Sequence, residues 1–466
     1  MDGVTGVPAN FTAKRSTMEA TGIAYKGLDG VTWRPGATPL ELPRTLADDL
    51  QLLARAIFAL YDAVAERYGN DPELTALLLH KVPERIPRIA DRAPVSFIRP
   101  DCVVSNRDGR YRAVVTELES APAGHGMTHA MQCAYGPSTV MADRFAEYLR
   151  GRPYLIIATH EWAEYFADQA SFCKALTDRG VTAHMIFDAP LSTVQAAAAT
   201  WRPPREAGPE VAARWNRDVL GRMERLGLAG IVSGVSPENL PRAVGNAVVF
   251  RFGYFDNFDH AVLDALRRWE QQGATIINPT CFYLENKALL AACQLESVRA
   301  GIRERGPELL DALDQGIART WLLADPDQLD GFITRQKDLV TKYGAWDGQN
   351  QSWGSRSLLA GYQTSRRKWE RTLEERLRLR HPVVAQRAIT SARFDVPWVT
   401  REDTVALLTD ARVRLTPFFL RDERGTIHDL GATVTLRQTF RVHGADDAVE
   451  APVVFGKEEL TDAPAA

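Results

Sequence analysis

From residue 152 onward the chain alternates short apolar runs with stretches of helical periodicity, and that alternation leaves few folds open. The runs fall at 154–158, 183–187, 230–232, 247–251 and 275–277, and helices fit at 162–179, 209–226 and 258–272. Apolar runs of three to five residues, with no polar alternation, suit strands buried on both faces. Strand and helix in turn imply parallel strands joined by crossover helices. The expected unit is therefore a parallel sheet covered on both sides, spanning 151–285. It carries no Gly-x-Gly-x-x-Gly after a strand, so a Rossmann-like topology is expected without dinucleotide binding. A small-residue, Pro-containing stretch at 196–204 is expected to be a loop.

The flanking segments follow different patterns. Leu46, Leu50, Leu53, Ile57, Leu60 and Val64 recur at three- and four-residue steps, which predicts a long amphipathic helix over 45–67 that stops near Gly69. Residues 95–104 and 110–119 make two strands with a turn at 106–109, a hairpin that puts Arg99 beside the strand of Glu117. Helix is expected at 127–150, from Asn286 to about residue 303, at 307–323 and at 365–379. Strands are expected at 338–342 and 382–389, with a terminal pair at 412–421 and 431–441 around a turn at 422–425.

Composition excludes several roles. At 466 residues the chain has material for two or three domains. A formal charge of -3 gives no bulk basic field for nucleic acid or a membrane surface. No run of about 18 apolar residues marks a membrane span, and the first twenty residues have no apolar core, so no signal peptide is expected. Five scattered cysteines without Cys-x-x-Cys suit reduced thiols in a cytoplasmic protein.

The chemistry concentrates at 113–126. Glu117 and Glu119 are two apart on a strand, so both carboxylates leave the same face. Like charges that close raise each other's pKa unless a cation lies between them, and Mg²⁺ takes carboxylates together with phosphate oxygens. An exposed strand edge explains the pair as well as a metal does. Ser120, Pro122, Gly124 and Gly126 then form a turn whose N–H groups can approach a ligand. A second polar stretch, 342–361, follows a strand ending in Lys342 and holds Gly344, Asp347, Gly348 and Gly354. A lysine and free N–H groups there suit phosphate, and a plain surface loop suits the same residues. His125 and His129 are four apart, but no third nitrogen or sulfur ligand for zinc stands near them in sequence.

Five motifs in one order resemble the eukaryotic-type glutathione synthetases and related circularly permuted ATP-grasp ligases. They are Arg99-Pro-Asp101; Glu117-Leu-Glu119 with Ser120 to Gly124; Phe250-Arg-Phe-Gly-Tyr254; Lys342 with Asp347-Gly348; and Leu436-Arg437 after Gly431. The resemblance covers about residues 99–440. It departs where Glu119 replaces an asparagine, where the Gly-rich loop is interrupted by Trp346 and Trp353, and where Gln386 stands in place of the glutamate ending the adenine strand.

The resemblance implies an α/β (α+β) permuted ATP-grasp fold. Residues 1–150 would hold the N-terminal helices and the metal strand 110–120. Residues 151–285 would be an inserted substrate domain, and 286–466 the remainder, with a lid loop at 342–361. It implies ATP and Mg²⁺ as cofactors and an amide-forming reaction through an acyl phosphate. Metal would sit on Glu117, Glu119 and Asp347, and nucleotide on Lys287, Lys342, Gly348, Gly354 and Gln386. Substrate would contact Arg99, Asp101, Ser120, Arg251, Tyr254 and Arg437, with Arg99, Arg251 and Arg437 as the catalytic cations. Several arginines suggest amino-acid or peptide substrates with further carboxylates, such as a γ-glutamyl compound in specialised biosynthesis, with glutathione synthesis proper as the near alternative. A nucleotide-sugar transferase, a non-catalytic nucleotide binder and a scaffold are readings of other classes. Small-molecule substrates and a second copy of the chain are the expected partners.

Overall fold

The hairpin is built from its turn. Asp108 and Gly109 take φ of 54° and 79°, the two positive values that a tight two-residue connection needs to match strand twist. Phe97–Arg107 and Arg110–Glu119 then pair so that Arg99 faces Glu119 and Asp101 faces Glu117. A bulge beside Asp101 leaves Thr116 as the extra residue on the second strand, which bends the ladder next to the acids. The computed structural model describes residues 11–21, 34–136, 140–200, 227–228, 230–349, 351–352, 354, 356–400, 404–442 and 447–456.

The hairpin lies at one side of a largely antiparallel eight-stranded sheet. Its longest strand, Val405–Arg421, pairs along its first half with Arg393–Val399 and along its second half with Phe97–Arg107, while its other edge pairs with Ile427–Arg437. The terminal pair and its turn thus appear, with the second strand at Ile427–Arg437 and not at 431–441, and two further strands, Arg393–Val399 and Val449–Phe455, join them. Helix Arg44–Arg67 places Leu46, Leu50, Leu53, Ile57, Leu60 and Val64 in the same core as the hairpin's Ile98, Cys102, Val104 and Val115.

The second sheet is parallel, in the order Val232–Gly234, Ala183–Phe187, Tyr154–Ala158, Val248–Phe252, Thr275–Ile277. Chain order therefore reverses between the strands ending at Ala158 and Phe252, the point where open sheets of this kind leave a crevice. Helices Phe166–Thr177 and His260–Gln271 fall where periodicity put them. The helix expected at 209–226 lies outside the described residues. Residues 196–200 are not loop but the end of helix Leu191–Thr200, because a run of alanines favours helix. A third, four-stranded antiparallel sheet holds Thr320–Leu322, Val383–Arg387, Leu339–Tyr343 and Leu359–Ala360, backed by Trp369 and Leu373 of helix Arg366–Leu377.

Three stretches expected as single helices are divided or shortened. The segment 127–150 is two helices, His125–Tyr135 and Val140–Leu149. From Asn286 the chain makes a short turn, Leu289–Ala292, and restarts at Glu296–Arg305, because Lys287 N–H bonds to Gly344 O and Gln294 reaches Thr320 O. The helix at 307 stops at Gly316, where a side chain would meet Leu53, and the chain crosses to Val115 and becomes strand. No described helix is long and apolar enough to cross a membrane.

Candidate active site

Strand periodicity and the hairpin register bring three carboxylates together. Asp101, Glu117 and Glu119 each offer an oxygen within 4.8 Å of the others, and all three are buried. Cations surround them. Lys287 Nζ lies 2.6 Å from Glu117 Oε1, and Lys342 Nζ lies 3.9 Å from Glu117 Oε2 while donating to Thr116 O at 2.6 Å. Arg99 Nε is 3.2 Å from Asp101 Oδ1, its Nη2 is 3.9 Å from Glu119 Oε1, and its Nη1 donates to Ala123 O at 2.7 Å. Arg414 donates to Asp101 Oδ2, and the Tyr254 hydroxyl donates to Glu119 Oε2 at 2.6 Å.

Burial and the neighbouring Glu117 raise the pKa of Glu119, more than Arg99 and Lys287 offset. Burial works the same way on Asp101, but there Arg414 and Arg99 prevail and hold the carboxyl low. Burial lowers Lys342 to about 8 in spite of Glu117. Strongly shifted groups facing cavities are the usual mark of a working site.

Two cavities meet at this cluster. A cleft of about 140 Å³, open to solvent, runs between the antiparallel core and the four-stranded sheet past Glu117, Lys342, Gln386, residues 387–389 and Arg412. A smaller cavity of about 20 Å³ lies on the parallel-sheet side, against Arg99, Glu119, Trp162, Tyr165 and Tyr254. Asp101, Gly354 and Arg414 line both.

The turn 120–126 is fixed from behind. Gly124 has φ 101°, and its N–H and that of Met127 both donate to the buried Asp168 carboxylate at 2.6 and 2.9 Å. A Cβ on Gly126 would fall 2.2 Å from Asp168 O, so only glycine allows this approach. Asn278 ties the same region to the parallel sheet by donating to Phe97 O and Ser120 O.

The remaining expected residues divide. Gln386 lines the cleft and spends its amide on Thr320 Oγ1 and Thr116 O. Gly348 sits outside both cavities with its N–H 3.4 Å from Asp256 Oδ2. Asp347 is not in the carboxylate cluster: its oxygens accept the N–H groups of Gln349, Gln351 and Ser352, so it folds its own loop, and Asp101 takes the third position. Ser120 is buried, and its hydroxyl lines neither cavity. Arg251 is closed off: its Nη1 lies 2.6 Å from Glu285 Oε1, each side chain 1% exposed. Arg437 Nε lies 2.7 Å from Asp447 Oδ1, and its Nη1 donates to Arg441 O. Arg414 was missed, although Arg412 and Arg414 alternate with apolar Val413 and Leu415 in the sequence, which marks a charged face on a core strand. Trp162 and Tyr165, which line the smaller cavity, carry no signal in the sequence beyond their place at the start of an expected helix.

No protein-family model matches the chain, and no curated protein sequence matches it. Among solved structures, a glutathione synthetase-like effector from Globodera pallida, in its apo form, is similar over 98% of both chains with a TM-score of 0.57 and 13% identity. The fold is therefore glutathione synthetase-like, a mixed α/β architecture with one parallel sheet.

Proposed function

We propose that the chain is an ATP-dependent carboxylate–amine ligase. The observation that carries this is the cluster of Asp101, Glu117 and Glu119, ringed by lysines and arginines and placed where two cavities meet. A hydrolase or a simple binder needs one cavity; a ligase needs a nucleotide and an acid on opposite sides of one charged centre. Four cations (Arg99, Arg414, Lys287 and Lys342) against three carboxylates leave the centre net positive, which suits a polyphosphate.

Three buried carboxylates with oxygens within 4.8 Å fit a hard divalent cation. Asp101, Glu117 and Glu119 would hold Mg²⁺, which when bound offsets charge on a transferring phosphoryl group. Lys342 and Lys287 are the phosphate-binding cations, and the cleft past Gln386 takes the base and sugar. Arg99 and Arg414 orient the acid, and Tyr254 fixes the Glu119 carboxylate. In the reaction a carboxylate oxygen attacks the terminal phosphorus of ATP and ADP leaves. An amine nitrogen then attacks the acyl carbon, the C–O bond to phosphate breaks, and the amine gives a proton to solvent. The protein's part is placement and charge, the main demand of phosphoryl transfer.

The test is ADP release by the full chain with Mg²⁺ and ATP over a panel of acids, with hydroxylamine as the amine. Acid-dependent ADP and hydroxamate in equal amounts are expected. Absence of both, together with no rise in melting temperature at millimolar Mg²⁺–ATP, would remove the reading. A nucleotide-sugar transferase working on the parallel sheet would leave Glu117 dispensable.

A further inference from the structure

The turn before helix His125–Tyr135 is held by a residue that lines neither cavity at the cluster. The helix begins at Gly124, which has no side chain to cap it, and the first N–H groups of a helix have no partner within it. Asp168, in the first turn of helix Phe166–Thr177, takes that place. Its buried carboxylate accepts from Gly124 N–H at 2.6 Å and from Met127 N–H at 2.9 Å, and Gln169 Nε2 donates to Oδ2 at 3.0 Å. An anion suits the N-terminal ends of both helices.

The Gly124 N–H belongs to the same peptide group as the Ala123 carbonyl, and that carbonyl accepts Arg99 Nη1 at 2.7 Å. One planar unit therefore has Asp168 at its N–H and Arg99 at its oxygen. The other edges of the guanidinium face acids, with Nε 3.2 Å from Asp101 Oδ1 and Nη2 3.9 Å from Glu119 Oε1. A cation between two carboxylates is drawn to whichever it can approach more closely. The Ala123 oxygen fixes the third edge of the planar fork, so Arg99 spans both acids and does not collapse on one. A rotation of that peptide would break both of its hydrogen bonds together.

We infer that Asp168 is a positioning residue for the reaction: by fixing the plane of the Ala123–Gly124 peptide, it aims Arg99 at the acid substrate. This rests on the ligase reading above, in which Arg99 orients the acid. Asp168 acts from a helix of the parallel-sheet side, so the two halves of the molecule meet in the orientation of one guanidinium.

The experiment uses the full chain with Mg²⁺, ATP and hydroxylamine, and the best acid among glutamate, a γ-glutamyl dipeptide, alanine and acetate. Asp168→Asn keeps the side chain's size but puts an NH2 where an oxygen accepts. It should raise KM for the acid roughly tenfold, the scale of a misplaced orienting group, with KM for ATP unchanged. In an Arg99→Ala background the same substitution should change that KM by less than about twofold, because its effect passes through Arg99. Ala123→Gly loosens the same peptide and leaves the buried acid untouched. It should raise the same KM about threefold, and it carries the test if Asp168→Asn does not fold. An equal rise with and without Arg99, or an unchanged KM in the folded variants, would overturn the inference and leave the ligase reading standing. No ADP from the wild-type chain with any acid would overturn both.

Discussion

Buried charge occurs in two forms in this molecule. Arg251 and Glu285 form a closed pair: one cation, one acid, both 1% exposed, lining neither of the two cavities at the cluster. Asp101, Glu117 and Glu119 are buried too, but three acids share one place, face two cavities, and are balanced by cations from four separate segments. Burial pushes the Glu285 carboxyl up to about 7 against the pull of Arg251, so even the closed pair is costly. The difference lies in what is left over. In the pair every charge is answered locally and the group clamps Phe255 N–H to the Gly253 turn. In the cluster like charges remain face to face, a strain that a bound cation and polyphosphate would relieve.

That contrast breaks most sharply at the pair. Arg251→Ala should cost about 3 kcal/mol of stability, because it leaves a buried carboxyl without its cation; urea denaturation reads this. If the variant folds as well as wild type but loses turnover selectively, the pair belongs to the site and the distinction fails.

Glu117→Gln is the converse. Turnover should fall roughly 100-fold, the scale of losing one charge-stabilising group, while stability changes by less than about 2 kcal/mol. ADP release and thermal unfolding of the same sample separate the two effects.

Asp168, which anchors the turn carrying Ala123 O to Arg99, is a buried acid without a cation as hydrogen-bond partner. Burial raises it from 3.8 to about 6. The folded protein thus holds this proton more tightly than the unfolded chain does. Its contribution is full below about pH 4 and is lost as pH rises to about 6, on the order of 1–3 kcal/mol. Asp168→Asn should flatten that part of the stability curve measured by denaturant midpoint.

The smallest effect is expected at Arg437, whose Asp447 partner is 44% exposed. Arg437→Lys should change stability by less than about 1 kcal/mol and leave every substrate KM unchanged. A selective rise in one KM would return Arg437 to the substrate and narrow the contrast.

The hairpin and its register were legible because they are local. A two-residue turn and a period of two put Arg99 and Asp101 across from Glu119 and Glu117, and apolar runs announced the parallel strands. The lysines were legible as cations at element ends. Asp347 was misread because a carboxylate followed by glycine and amides looks the same whether it binds a metal or caps its own loop; three backbone N–H groups decided for the loop. Arg251 was misread because its partner is 34 residues away, and nothing local to Phe250-Arg-Phe announces Glu285.

Sequence by itself determined most of the elements, their alternation and which carboxylates share a strand face, since these follow from periodicities of two and 3.6 residues along one stretch of chain. Tertiary structure decided which charges answer which. Attraction between buried charges acts through space over a few ångström, and the strands that set those distances, 97–119 and 405–421, lie some 300 residues apart and meet only in the folded sheet.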